Sequence, residues 1–365
     1  MAEQSKKAGI ASDSSPILSP DEIFKEKTEA WILRCRNNLK GFGEIVKKDE
    51  PDAKPRRVRI ALLDTGIRRD NSLIRSQLRN IKRRDSIKEQ INFLDQNSPE
   101  DTEDMDKQGH GTLNMLLLLR TAPEADIYFA RVARSKDTVC PKAIVKVPMI
   151  SGQLRVVWAI KHATTIWKVD IIAMPLKASQ DCRKFRSAIK EAYSVHKILI
   201  AGASNEGGNA GRAYPASDER VICMHALDGL GNNFPGLNPT PHPSDDNFGT
   251  LGLDIRFPFN EDSKGGQKQN EEETSRSGTS YATAVAAGIT ATILAFLYHA
   301  DFDNHFNNNE RTLAMSNQGM KKIFRRIAGN KRDGFDYIAP WNLWLDGLTP
   351  SDICSVLKAA LISTT

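Results

Sequence analysis

An α/β fold, with a mostly parallel central sheet held between two layers of helices, is predicted by three features of this 365-residue sequence. Short apolar runs rich in strand-forming residues recur along the chain. Longer stretches with apolar residues at helical spacing separate them. The runs are continuously apolar rather than alternating, as strands buried on both faces are.

The elements follow in order. Residues 1–18 are small and polar and read as a disordered tail. Ser19-Pro20-Asp21-Glu22 then reads as a helix start, with serine as N-cap, proline at the first helical position and acids in the first turn. That helix is expected to run through Phe24, Trp31, Ile32 and Leu39 and to stop near Gly41 or Gly43, before a charged linker from Lys47 to Pro55. Strands are predicted at Val58 to Leu63, Ile127 to Val132, Val169 to Met174, Ile198 to Gly202 and Val221 to Met224. Helices are predicted between them at Leu113 to Arg120, Gln153 to Trp167 and Cys182 to His196. Residues 225–276 are rich in Gly, Pro, Asn and Asp and are expected to be loops. A long helix of small and apolar residues, Thr283 to Leu297, comes next. Beyond it, Met320, Ile323, Phe324 and Ile327 repeat at helical spacing.

Composition narrows the class of molecule. Hydrophobic residues make up 40% and charged residues 26%, too apolar for disorder and ordinary for a globular protein. The net charge of +6 raises the question of an acidic partner. However, the basic run from Arg68 to Arg84 is followed at once by an acidic run from Asp95 to Asp106, which reads as a self-complementing surface insertion. Without interleaved aromatics or a zinc-finger motif, a nucleic-acid partner is not expected. The cysteines, at 35, 140, 182, 223 and 354, are odd in number and lack metal-ligand spacing, so free thiols in a reducing compartment are expected. The amino terminus carries no apolar signal stretch, and Ala282 to Leu297 is interrupted by threonines and a glycine, which suits a buried helix. A cytoplasmic location with no membrane contact is the expectation. No acidic cluster has the spacing of a calcium site, Asp245-Asp246 and Glu271-Glu272-Glu273 reading as loop charges, so no metal or other cofactor is expected.

Three segments carry the chemistry: Asp64-Thr65-Gly66 at the end of the first strand, Gly109-His110-Gly111-Thr112 before a helix, and Gly278-Thr279-Ser280 entering the long helix. Nucleophilic attack on a peptide bond needs a hydroxyl, a base to take its proton and a carboxylate to hold the imidazole. These segments supply one of each. A serine at a helix amino terminus also gains from unpaired backbone N–H groups and the positive end of the dipole. Singly, each has an ordinary reading: a turn after a strand, a tight turn, an N-cap. Asp-Thr-Gly also occurs in pepsin-like aspartic peptidases, where a single copy would require a dimer. Their order, each in the expected structural context, favours a joint reading.

The wider segments resemble the subtilase family of serine peptidases. Arg59-Ile60-Ala61-Leu62-Leu63-Asp64-Thr65-Gly66 is similar to its aspartate block, Gly109-His110-Gly111-Thr112 to its histidine block, and Ser277-Gly278-Thr279-Ser280-Tyr281-Ala282 to its serine block. Ala201-Gly202-Ala203-Ser204-Asn205-Glu206-Gly207 is similar to a fourth block, in which the asparagine matched by Asn205 donates its amide to the oxyanion. The resemblance implies a subtilisin-like three-layer fold over residues 56–300, between a helix plus linker at 19–55 and a helical extension at 301–365. It also implies a serine endopeptidase with Asp64, His110 and Ser280 as its triad, acting on protein or peptide substrates through an acyl-enzyme. The closing Tyr337-Ile338-Ala339-Pro340-Trp341 and the Asn205 block resemble intracellular fungal members, some of which sit beside other domains in signalling proteins.

Departures qualify the match. Ala284 stands where most members have proline, which predicts a small change at the helix start. Leu113 replaces a common histidine as a packing change. Pro175-Leu176-Lys177 replaces a Ser-(Leu/Phe)-Gly strand edge that pairs with substrate backbone. Lys177 is expected to narrow the specificity pocket or to offer its cation to an acidic substrate side chain. This altered edge supports the alternative of a catalytically silent subtilase-like binding or signalling module, against which stand the four intact blocks.

Overall fold

In a computed structural model of the chain, the first apolar run becomes β1 (Arg59–Asp64), buried on both faces in the middle of an eight-stranded sheet. The structure describes residues 27–38, 56–80, 83–94, 106, 108–135, 152–178, 183–258, 273–298, 305–329, 331–345 and 347–363. The predicted strands are β3 (Asp126–Arg131), β4 (Ile171–Met174), β5 (Ile198–Gly202) and β6 (Ile222–Leu227). Four-residue β7 (Phe248–Leu251), six-residue β2 (Ile87–Asn92) and two-residue β10 (Asp336–Tyr337) complete the sheet. Its order is β10-β7-β6-β5-β4-β1-β3-β2, and its strand pairings are parallel.

From β1 the chain goes to the edge strand β2, returns to β3 beside β1, and then crosses to β4 and its successors on the other side. The order therefore reverses beside β1, which makes its carboxyl end the topological switch point where open α/β sheets place their sites.

Alternate residues of the central strands enter two separate cores. Ile60 and Leu62 of β1 face α3 (His110–Thr121) and α6 (Thr279–Leu297), while Ala61 and Leu63 face α4 (Gly152–Thr165) and α5 (Arg183–Ser194). This is the expected three-layer architecture. α6 is long and apolar enough to cross a membrane by composition alone, but 89% of its most apolar window is buried inside the protein. Its alanines let α3 and the sheet approach it closely.

The expectation that 225–276 is all loop is corrected. β6 extends to Leu227, β7 lies within the segment, and β8 (Ile255–Pro258) pairs antiparallel with β9 (Glu273–Arg276). Strands of four residues between Gly, Asn and Asp clusters carry too short a pattern to stand out. β2 is hidden in the sequence for another reason. It is an edge strand carrying Lys88, Glu89 and Gln90, as edges exposed to solvent require.

The carboxyl-terminal residues share the same core. Met320, Ile323, Phe324 and Ile327 of α8 (Asn317–Ile327) are buried, and Phe324 meets Phe248 of β7 edge-on with ring centroids 5.5 Å apart. Each such buried side chain contributes roughly 1.5–3 kcal/mol. Helical residues 27–38, α1, pack on the neighbouring segment: Trp31 lies edge-on to Trp341 at 5.5 Å, Arg34 stacks over the Trp341 ring, and Asn38 donates to the Trp344 carbonyl. Trp31 and Ile32 thus lie in the expected helix, whereas its predicted ends at Ser19-Pro20 and at Gly41 or Gly43 lie outside the described residues. α2 (Ser72–Leu78), α7 (Asn308–Ala314) and α9 (Pro350–Ile362) are further helices of the chain. Cys35, Cys223 and Cys354 are buried free thiols, and Cys140 and Cys182 lie outside the described residues.

One buried group sets an acid limit on the fold. His225 of β6 is wholly buried, its Nδ1 bonded to the Phe248 carbonyl at 2.9 Å. Burial pushes its pKa down to about 4, and the charge of Arg212 adds to this. Its unfolded value is about 6.5, so on acidification the unfolded chain takes the proton first. Stability is therefore expected to fall as pH drops from about 6.5 to 4, by on the order of 3 kcal/mol from this residue. Urea unfolding across that range should show the decline, and His225→Asn, which keeps a donor for Phe248, should flatten it.

Candidate active site

The last residue of β1 and the first residue of α3 meet at the switch point. His110 Nδ1 lies 2.6 Å from Asp64 Oδ1. Both side chains are buried, Asp64 at 2% and His110 at 6% exposure, so the bond is shielded from competing water. A carboxylate can only accept, which makes Nδ1 the protonated nitrogen and Nε2 the one able to accept a proton. Asp64 Oδ1 also accepts from the backbone N–H of Thr65 at 2.7 Å, and Asp64 Oδ2 accepts from Asn114 Nδ2 at 2.8 Å.

The helix can begin this close to the strand because Gly111 has no side chain. A Cβ there would lie 2.2 Å from the Gly66 carbonyl oxygen. Thr65 and Asp106 complete the joint. Gly111 N–H donates to Thr65 Oγ1, Thr65 Oγ1 donates to Asp106 Oδ1 at 2.9 Å, and Thr112 N–H donates to Asp106 Oδ2 at 2.8 Å. Burial pushes the Asp106 carboxyl above the usual carboxylate range, and the charge of Asp64 adds to the push, while the bonds from Thr112 and Thr65 oppose it. Asp106 therefore corrects the reading of the acidic run as surface: at 1% exposure it is interior. Residues 95–105 of that run lie outside the described residues. Asn114 is a site residue that sequence reasoning missed, although its place one turn after His110 on α3 is a signal that could have found it.

The first turn of α6, which carries Ser280, reaches His110 through Tyr281. The helix starts four residues earlier than predicted, so that Ser280 lies in its first turn. The Tyr281 ring packs against the His110 ring with centroids 5.7 Å apart. The helix start is tied to the end of β5, since the Thr279 N–H donates to Asn205 Oδ1 at 2.9 Å. Gly202 permits this approach, because a Cβ there would meet Thr279 Oγ1 at 2.8 Å. With its oxygen so held, the Asn205 side chain leaves its Nδ2 donor near Gly278, at the amino terminus of the helix that carries Ser280. Ser204, just before it, has φ 147°, a conformation L residues rarely adopt and one that costs of order 1–3 kcal/mol. Ala284 sits buried within α6 without interrupting it.

The substrate-edge candidates follow β4. Pro175 and Leu176 are buried, and Lys177 is exposed. The Lys177 ammonium pairs with the carboxylate of Glu206, the residue after Asn205. The expected cation is thus matched within the protein. Ala178 N–H bonds to the Tyr214 carbonyl at 2.8 Å, which ties this edge to the segment after the Asn205 loop.

The subtilase family model matches residues 56–328. The chain is similar to a Podospora anserina protein named "Subtilisin-like protease het-Q2", with 28% identity over 256 residues, covering 68% of this chain and 66% of that protein. It is also similar to a Halalkalibacterium halodurans protein named "Thermostable alkaline protease", with 25% identity over 215 residues, covering 56% of this chain and 51% of that protein. The matched segment spans just under two thirds of the first relative and about half of the second.

Proposed function

Because this chain belongs to the subtilase family, we propose that it is a serine endopeptidase in which Asp64, His110 and Ser280 form the catalytic triad. The buried 2.6 Å bond between Asp64 and His110 is the observation that carries this reading. Ser280 Oγ attacks the scissile carbonyl carbon while His110 Nε2 takes its proton. The carbonyl electron pair moves onto the oxygen, which is held by the Asn205 amide and the Ser280 N–H at the amino terminus of α6. Collapse of this intermediate breaks the C–N bond, and His110 passes its proton to the leaving amine. Water then attacks the acyl-enzyme with His110 again as base, which releases the acid and restores Ser280. Asp64 holds the imidazole in the needed tautomer and stabilises it when charged.

The edge at Pro175, Leu176 and Lys177 is read as the place where substrate backbone adds as a strand. Pairing with Glu206 argues against Lys177 as a receptor for an acidic side chain, since the charge is already met. An intracellular setting is part of this reading, as is a role beside other domains in signalling.

A fluorophosphonate probe tests the proposal, since it reacts with serines activated in this way. The wild type is expected to be labelled at Ser280, and Asn205→Ala is expected to hydrolyse peptides about 10²–10³-fold more slowly, a scale established on a subtilisin. Folded wild type that takes no label and cleaves no peptide would overturn the proposal and favour the silent binding module.

A further inference from the structure

The geometry points to Asn114 as a positioning residue that holds the Asp64 carboxylate in line with His110. This rests on the reading of Asp64 as the triad carboxylate. Asn114 and His110 are one turn apart on α3, so they present side chains to the same neighbour. That neighbour is Asp64: one oxygen receives His110 Nδ1, and the other receives Asn114 Nδ2 at 2.8 Å. The orientation of the Asn114 amide follows from chemistry, because only its NH₂ can face a carboxylate.

Two observations set this contact apart from ordinary packing. First, the opposite end of the Asn114 amide is costly. Its Oδ1 is buried and finds no hydrogen-bond partner among the described residues, although neighbouring Leu113 and Met115 are buried apolar side chains. A residue there for packing alone would be apolar, since a buried orphan acceptor is destabilising. Second, the bonds to Asp64 from the described residues are unevenly shared. Oδ1 accepts from His110 and from Thr65 N–H at 2.7 Å, while Oδ2 accepts from Asn114. Without Asn114 the carboxylate is pinned through one oxygen and can turn about it, which takes its plane out of alignment with the imidazole. Asn114 Nδ2 also lies 3.5 Å from His110 Nδ1, so a carboxylate that turns meets the same helix face.

The test uses the full chain with Asn114→Val and, should valine not be accommodated, Asn114→Ala. Two readouts are taken on each: the second-order rate of fluorophosphonate labelling, and the far-downfield proton resonance of the Asp64–His110 hydrogen bond, read by NMR. The expected result is labelling slowed by about tenfold or more, with the resonance moved upfield and exchanging faster with water, in protein whose circular dichroism matches the wild type. Labelling within about twofold of wild type with an unchanged resonance overturns the proposal and leaves the peptidase reading intact. Should the wild type itself take no label, the peptidase reading fails, and the resonance in wild type and variant alone decides the role of Asn114.

Discussion

Alanine at His110 is expected to lower peptide hydrolysis by about 10⁶-fold, the scale known for removing the serine or histidine from a subtilisin triad, while the protein stays folded. The size of the effect follows from the surroundings. Neither neighbouring group can take over as base. Burial pushes the Tyr281 phenol far above its usual range, and both Asp106 oxygens are already engaged by Thr65 and Thr112. Asp64 would face empty space in place of Nδ1. The fold should tolerate the change, because the joint between β1 and α3 is also made by Thr65, Asp106 and Gly111. Hydrolysis of an unfolded protein substrate, with circular dichroism as the control for folding, measures both. Activity within about tenfold of wild type would mean that His110 is not the base and that the mechanism is wrong.

Gly111→Ala is expected to damage stability and activity together. The added methyl would lie 2.2 Å from the Gly66 carbonyl oxygen and 3.1 Å from its nitrogen, and backbone atoms cannot rotate away as a side-chain end can. Either α3 retreats or the Asp64-Thr65-Gly66 turn does. A forced contact of this kind costs roughly 1–3 kcal/mol or more. The shift also separates Asp64 from His110, and a displacement of about 1 Å can cost on the order of 10²-fold in rate. Urea unfolding and probe labelling, measured on the same preparation, are expected to fall in step. Wild-type stability with wild-type labelling would show that the approach of helix to strand is looser than 2.2 Å implies.

Much of the fold is legible without coordinates. The core strands show because strands buried on both faces leave uninterrupted apolar runs, as Leu62-Leu63 does in β1 and Ile198-Leu199-Ile200 does in β5. β2 and β7 do not show, the first because an edge strand carries charges and the second because four residues are too few. The sequence pattern starts α3 and α6 three and four residues late. Their first turns carry His110, Gly111, Thr279 and Ser280, which are chosen for the site and not for helix propensity.

Local order along the chain therefore determined the fold class, the alternation of strands and helices, and the candidate residues Asp64, His110, Asn205 and Ser280. Each is marked by neighbours a few positions away, and such short-range chemistry is written directly in sequence. Tertiary structure alone decided which groups meet. Asp106 looks like one acid among many until the fold buries it between Thr65 and Thr112, and Lys177 looks like a free cation until Glu206 is brought within reach. Asn114, one turn after His110, gains its partner only when α3 is laid against the end of β1. The physical reason is common to all three. Burial and pairing depend on atoms contributed by different strands and helices, so they exist only once the sheet has brought its strand ends together.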